Sequence, residues 1–172
     1  MDDRSIDERV AALEQQVADL TARLVSEPAP AAPPRQEQTF WALEGLRSQI
    51  EGLEGGAVLF TGIVDLPTAE HYEWQQALPV ETLLADDWTG PANTLAALGH
   101  PVRLTLLRRV LEGTRNVAEL AEQEGLGTTG QIYHHLRQLV SAGWLRSSSR
   151  GLYEVPGERV IPLLALVMGT RR

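Results

Sequence analysis

Residues 127–145, GTTGQIYHHLRQLVSAGWL, decide the fold of this chain. Wound at about 100° per residue, Ile132, Leu136, Leu139 and Val140 fall on one arc, the pattern of a helix with a single buried stripe. His134 lies about 160° from Leu136 on the same wheel, and Gln131 and Gln138 share its outward side. His135 falls at the edge of the apolar arc, on the flank opposite Tyr133. The adjacent histidines thus diverge by about 100°, whereas a helical metal pair needs i, i+4 spacing or a third ligand close by. The doubled histidine is therefore expected to be one outward polar residue and one packed residue, with no metal site.

The segments around this helix repeat the same grammar. Upstream, Pro91 suits a first helical position, and the run Leu95–Leu98 ends at Gly99. Pro101 then opens PVRLTLLRRVLEG, where Val102, Leu104, Leu106, Leu107, Val110 and Leu111 give a broad apolar face closed by Gly113. Asn116 is placed to cap a short helix, with Glu119 at the third position after it. Downstream of Gly143, WLRSSSRGLYEV reads as two short strands around a Ser/Arg/Gly turn, and ERVIPLLALVMG reads as a closing apolar helix with Pro162 early in it.

The N-terminal half is built differently. In residues 5–25, Ile6, Val10, Leu13, Val17, Leu20 and Leu24 recur at alternating spacings of four and three, a heptad seam with mostly β-branched a and leucine d positions. This pattern predicts a parallel dimer held by Val10, Leu13, Val17, Leu20 and Leu24, with Arg9 and Glu14 able to pair across it; an amphipathic helix packed on its own domain is the alternative. The segment 26–38, SEPAPAAPPRQEQ, has four prolines among alanines and is expected to be an extended spacer. Thr39 can cap a helix whose face is Phe40, Leu43, Leu46, Ile50 and Leu53 and whose end is expected at Gly55–Gly56. The β-rich runs 58–66 and 71–78 flank the turn residues PTAE, which predicts a β-hairpin. On its second strand Tyr72 and Trp74 share a face, either as core aromatics or as the lining of a ligand pocket.

Composition narrows the function. The 172 residues contain no cysteine, which excludes disulfides, thiolate metal sites and a cysteine nucleophile. No apolar run approaches the ~20 residues a membrane helix needs, and the charged start MDDRSIDERV lacks a signal-peptide core, so a cytoplasmic, nucleoid-associated protein without a membrane partner is expected. The net charge of -8 is unevenly spread. Residues 91–172 hold ten Arg against six Asp and Glu, a net of +4, while residues 1–90 hold five Arg against seventeen acids, a net of -12. A basic C-terminal half suits phosphate contacts. No Ser-His-Asp, metal-hydrolase or phosphate-loop constellation is present, so neither enzymatic activity nor a cofactor is expected.

Two stretches together, LAALGHPVRLTLLRRVLEG (95–113) and ELAEQEGLGTTGQIYHHLRQLVSAGWL (119–145), resemble the ArsR-like family of bacterial transcription regulators. The resemblance rests on His100, Pro101, Arg103 and Leu104 in the first, and on His134, His135, Leu136, Leu139 and Gly143 in the second. It spans residues 92–168 and implies a winged helix-turn-helix, with a recognition helix about 128–142 and a wing about 144–155. The chain departs from the family's metal sensors, because it has no cysteine and its last helix has neither His nor Asp. It departs also in the turn LGTTGQ, where Gly127 and Gly130 replace a Ser-rich version and leave open how the recognition helix begins.

The expected fold class is thus α+β, mainly α: a coiled-coil helix at 1–25, a Pro/Ala-rich linker at 26–38, a helix and β-hairpin accessory region at 39–90, and a winged helix-turn-helix at 91–172. The expected function is a homodimeric, sequence-specific regulator of transcription, acting on double-stranded DNA as a repressor, with any small-molecule or protein effector unidentified. Gln131 and Gln138 suit adenine, Arg137 suits guanine or phosphate, and His134 lies beside them. Thr128 and Thr129 suit a phosphate at the helix N-terminus, and Arg146, Ser148 and Arg150 suit the backbone or minor groove from the wing. The rival reading is a winged-helix interaction module that holds a protein through its coiled coil and acidic N-terminal half without binding DNA.

Overall fold

The computed structural model describes residues 9–19, 40–148 and 151–171 and divides the chain into two compact units, Met1–Gln49 and Ile50–Arg172. The fold is α+β and mainly helical. Leu20, Leu24, the proline-rich segment 26–38 and Arg150 lie outside the described residues.

In the first unit residues 9–19 are helical (α1), and the seam positions Val10, Leu13 and Val17 are 47%, 60% and 62% exposed. A second helix, α2, runs Trp41–Gln49, with Leu46 buried and Phe40, Trp41 and Leu43 exposed. It ends six residues before the Gly55–Gly56 pair expected to stop it. The backbone turns at once, with the Leu53 amide donating to the Ile50 carbonyl and Gly52 at φ 84°, a conformation glycine adopts without cost.

The second unit begins with an antiparallel hairpin, β1 (Ala57–Asp65) and β2 (His71–Pro79), in register from Ala57 opposite Pro79 to Asp65 opposite His71. Each strand lies within one residue of its expected position. Inside the loop the Leu66 amide donates to the Glu70 carbonyl and Ala69 takes φ 63°. Two short helices follow, α3 (Val80–Ala85) and α4 (Thr89–Ala96), and then α5 (Pro101–Leu111), α6 (Val117–Ala121) and α7 (Thr129–Ser141). A two-residue pair, β3 (Arg146–Ser147) and β4 (Tyr153–Glu154), precedes the last helix, α8 (Gly157–Gly169).

Local chemistry explains the boundaries. His100 caps α5, its Nδ1 accepting the Val102 amide at 3.2 Å, and Asn116 caps α6 by accepting the Glu119 amide at 2.8 Å. Thr128 and Gln131 form a reciprocal capping box at the start of α7. Gly127 sits at φ 85° directly beneath it, where a Cβ would meet Gln131 Oε1 at 2.5 Å. The glycine-rich turn is therefore what lets the glutamine fold back over the helix end. At the other end Gly143 takes φ 74°, with Trp144 N–H donating to the Leu139 carbonyl and Gly143 N–H to the Val140 carbonyl. This pair of bonds is a Schellman motif, and it turns the chain sharply from α7 into β3.

The core joins Leu106, Leu107 and Val110 of α5, Leu120 of α6, Ile132, Leu136 and Leu139 of α7, Trp144, Leu145 and Val155 at the strand pair, and Val160 and Leu163 of α8. Val140, on the same apolar arc by sequence, is 36% exposed, as is Leu104 on α5 to a similar degree. The hairpin lies against this core through Val64, Leu66 and Tyr72. At the loop Glu70 accepts a hydrogen bond from Thr68 Oγ1 at 2.6 Å and pairs with Arg115, and these hold its carboxyl below the usual carboxylate range. No described helix is long and apolar enough to cross a membrane.

Gly62 is where β1 meets α8: a Cβ there would stand 2.8 Å from Cγ2 and 3.2 Å from Cδ1 of buried Ile161. Gly62→Ala is expected to lower unfolding stability by about 1–2 kcal/mol through overpacking, against a neutral Thr61→Ala control on the exposed face. Urea denaturation of both variants measures this, and equal midpoints would show that the hairpin does not press on α8.

Candidate nucleic-acid interface

Helix α7 is amphipathic in a way its neighbours enforce. Ile132, Leu136 and Leu139 are wholly buried, while Thr129, Gly130, Gln131, Tyr133, His134 and Arg137 are exposed. The outward surface is polar, and Arg137 carries its one cation, with Nε donating to the Tyr133 carbonyl at 3.4 Å. Tyr133, 45% exposed, belongs to this surface. Its i, i+4 spacing to Arg137 is the sequence signal that marks it.

The two glutamines expected to read bases are engaged within the protein. Gln131 Oε1 accepts both the backbone N–H and the hydroxyl of Thr128, at 2.8 and 3.1 Å. Gln138 is half-buried, and its Oε1 accepts from Arg103 Nη1. That bond orients the amide, so Gln138 Nε2 donates to His134 Nε2 at 3.1 Å. Arg103 also donates to the carbonyls of Ala96 and Ala97. A continuous polar chain therefore runs from the end of α4 through Arg103 and Gln138 to the outward His134. Thr128 is spent on the cap, while Thr129 opens the helix and is exposed.

The strand pair is tied down as well. Arg146 and Glu154 face each other in register, and Arg146 Nε donates to Glu154 Oε1 at 2.6 Å. The Ser148 amide donates to the Leu152 carbonyl, and its hydroxyl is buried without a hydrogen-bond partner among the described residues. Of the wing residues expected to touch phosphate, Arg146 thus presents a paired charge and Ser148 a covered hydroxyl.

Three of the four histidines gather at the start of α5 and the middle of α7. His100 and His135 lie with ring centroids 4.6 Å apart, and His135 and His134 at 5.6 Å. Burial pushes His135 below the usual histidine value, and the nearby His100, Arg103 and His134 push in the same direction. Its Nδ1 is buried with no hydrogen-bond partner among the described residues. Among the described residues no group of three His, Cys, Asp or Glu could hold a metal ion. His71 has the opposite setting on β2, bonded by Asp65 Oδ1 at 2.6 Å and Glu73 Oε1 at 3.2 Å, which raise it.

Of the two aromatics expected to line a pocket, Tyr72 packs on the core beside Gly157, while Trp74 is 39% exposed at the wall of a groove. The two side chains share a strand face, and Trp74 is the one that lines this groove. No protein-family model matches the chain, and no curated protein matches it either.

The histidines give a pH prediction with opposite signs. The stabilisation from His71 is complete below the ordinary histidine value of about 6.5 and is lost as pH rises through its raised folded value. That from neutral His135 is complete above about 6.5 and is lost as pH falls through its lowered folded value. Imidazole proton NMR across a pH series is expected to place the His71 midpoint above, and the His135 midpoint below, that of a free histidine. The reverse order would contradict both environments.

Proposed function

We propose that residues 91–172 form a winged helix-turn-helix similar to the ArsR-like regulators, and that the chain is a dimeric, sequence-specific DNA-binding regulator of transcription. The observation that carries this reading is α7: a thirteen-residue helix with one face locked in the core and a polar face in solvent. A shorter helix across a turn precedes it, and a strand pair follows directly. The assigned surface is Thr129, Tyr133, His134 and Arg137 for the groove, with the helix N-terminus toward a phosphate. Gln131 and Gln138 support that surface: one ends the helix, the other orients His134. The exposed seam of Val10, Leu13 and Val17 supports pairing of two copies through α1.

One observation favours the rival interaction module. Arg146 is neutralised by Glu154 and Gln138 is held by Arg103, so the surface offers fewer free donors to DNA than the sequence promises.

Retention on mixed genomic DNA separates the two readings. Binding at low salt that weakens steeply with added salt is expected, and Arg137→Ala is expected to lower affinity for all sequences and to reduce the log–log salt slope by about one. His134→Ala is expected to alter site preference in genome-wide recovery of bound DNA. Absence of binding at low salt would remove the regulator reading. For the dimer, Leu13→Asp is expected to halve the mass of the full chain in sedimentation equilibrium, and an unchanged mass would place the contact elsewhere.

A further inference from the structure

A groove of about 1190 Å³ opens between the hairpin, α4 and α8. Phe60 and Trp74 of the strands form one wall, Pro162 and Leu166 of α8 another, and Trp144 and Arg159 complete the lining. Aromatic and aliphatic surfaces thus surround a single cation, the composition of a small-molecule site. Four described arginines are half-buried: Arg103, Arg109, Arg115 and Arg159. The first three each donate to a protein oxygen. Arg159 has no such partner among the described residues; its guanidinium carbon sits 5.1 Å from the centroid of the Trp144 ring. Its planar fork is held by an aromatic face, and its hydrogen-bond donors are uncommitted.

We propose that this groove binds a planar aromatic monocarboxylate, its carboxylate paired with Arg159 and its ring system between Trp74 and Leu166. A guanidinium fork matches a carboxylate in two parallel bonds, and partial burial makes that pair stronger than a surface one. Glu158 at the same rim disfavours a second negative charge on the ligand. Behind the pairing group lies buried Trp144, with Arg159 over its ring and its indole N–H donating to the Thr94 carbonyl at 2.8 Å. The site does not depend on whether the chain binds DNA.

Calorimetric titration of the full-length chain with 1-naphthoate, and separately with its uncharged amide 1-naphthamide, tests the proposal at pH 7.5 without DNA. The acid is expected to bind one per chain, at least about tenfold tighter than the amide, the 1.4 kcal/mol that a single charged contact supplies. Arg159→Gln is expected to bring the acid down to the affinity of the amide and to leave the amide unchanged. Trp74→Ala is expected to weaken both; Phe60→Leu, a milder change in the same wall, serves if that variant unfolds. Equal binding of acid and amide, or acid binding indifferent to Arg159→Gln, would overturn the proposal, as would no saturation of either up to about 1 mM. If Leu166→Glu lowers the mass in sedimentation equilibrium, a second copy covers the groove and the proposal falls.

Discussion

Trp144 is the residue on which the second unit depends. Its side chain is 1% exposed in the core, its indole N–H is bonded to α4, its backbone N–H ends α7, and Arg159 of α8 lies over its ring. Three elements are thereby referred to one rigid group, two residues before the start of β3. An aromatic ring of this size has few rotamers, so its position fixes the angle at which the strand pair leaves α7. The left-handed Gly143 before it makes that angle attainable.

Polar side chains around this core act mainly as fasteners. The Arg103 guanidinium bridges the end of α4 to Gln138, the Arg115–Glu70 pair joins the loop after α5 to the hairpin loop, and Gln131 closes the start of α7. Each uses a group that, read along the chain, is available for recognition. What remains on the outward side of α7 is smaller and more selective: an aromatic, an imidazole whose Nε2 is already held, and one arginine. A surface of this kind carries little positive charge, and its polar groups are already partly committed within the protein.

The features legible in the sequence were those set by neighbours along the chain. The 3.6-residue rhythm of Ile132, Leu136 and Leu139, the alternation of the hairpin strands and the Asn116 cap all depend on contacts within a few positions. The Thr128–Gln131 box was legible too, as a Thr-x-x-Gln signature, but the outward direction of Gln131 on the wheel drew it toward the site. Other commitments had no local sign. Arg103 and Gln138 are 35 residues apart, and Arg146 meets Glu154 only in one register of the strand pair. The surroundings of Tyr72 and Trp74 had no local sign either. Strand alternation gives the face but not what covers each part of it, and α8 covers the first while leaving the second at an open groove.

Among the described residues the buried set contains no polar or charged side chain. Hydrophobic contact is only weakly directional, so polar bonds add to the packing in fixing how the helices are aligned. Part of that alignment is written at the margins, in bonds such as Arg146 to Glu154. Such a molecule resembles a drawer whose contents are smooth and whose latches are outside. Its centre can drift through substitutions of similar volume, while its alignment is inherited through a few polar pairs at the edge.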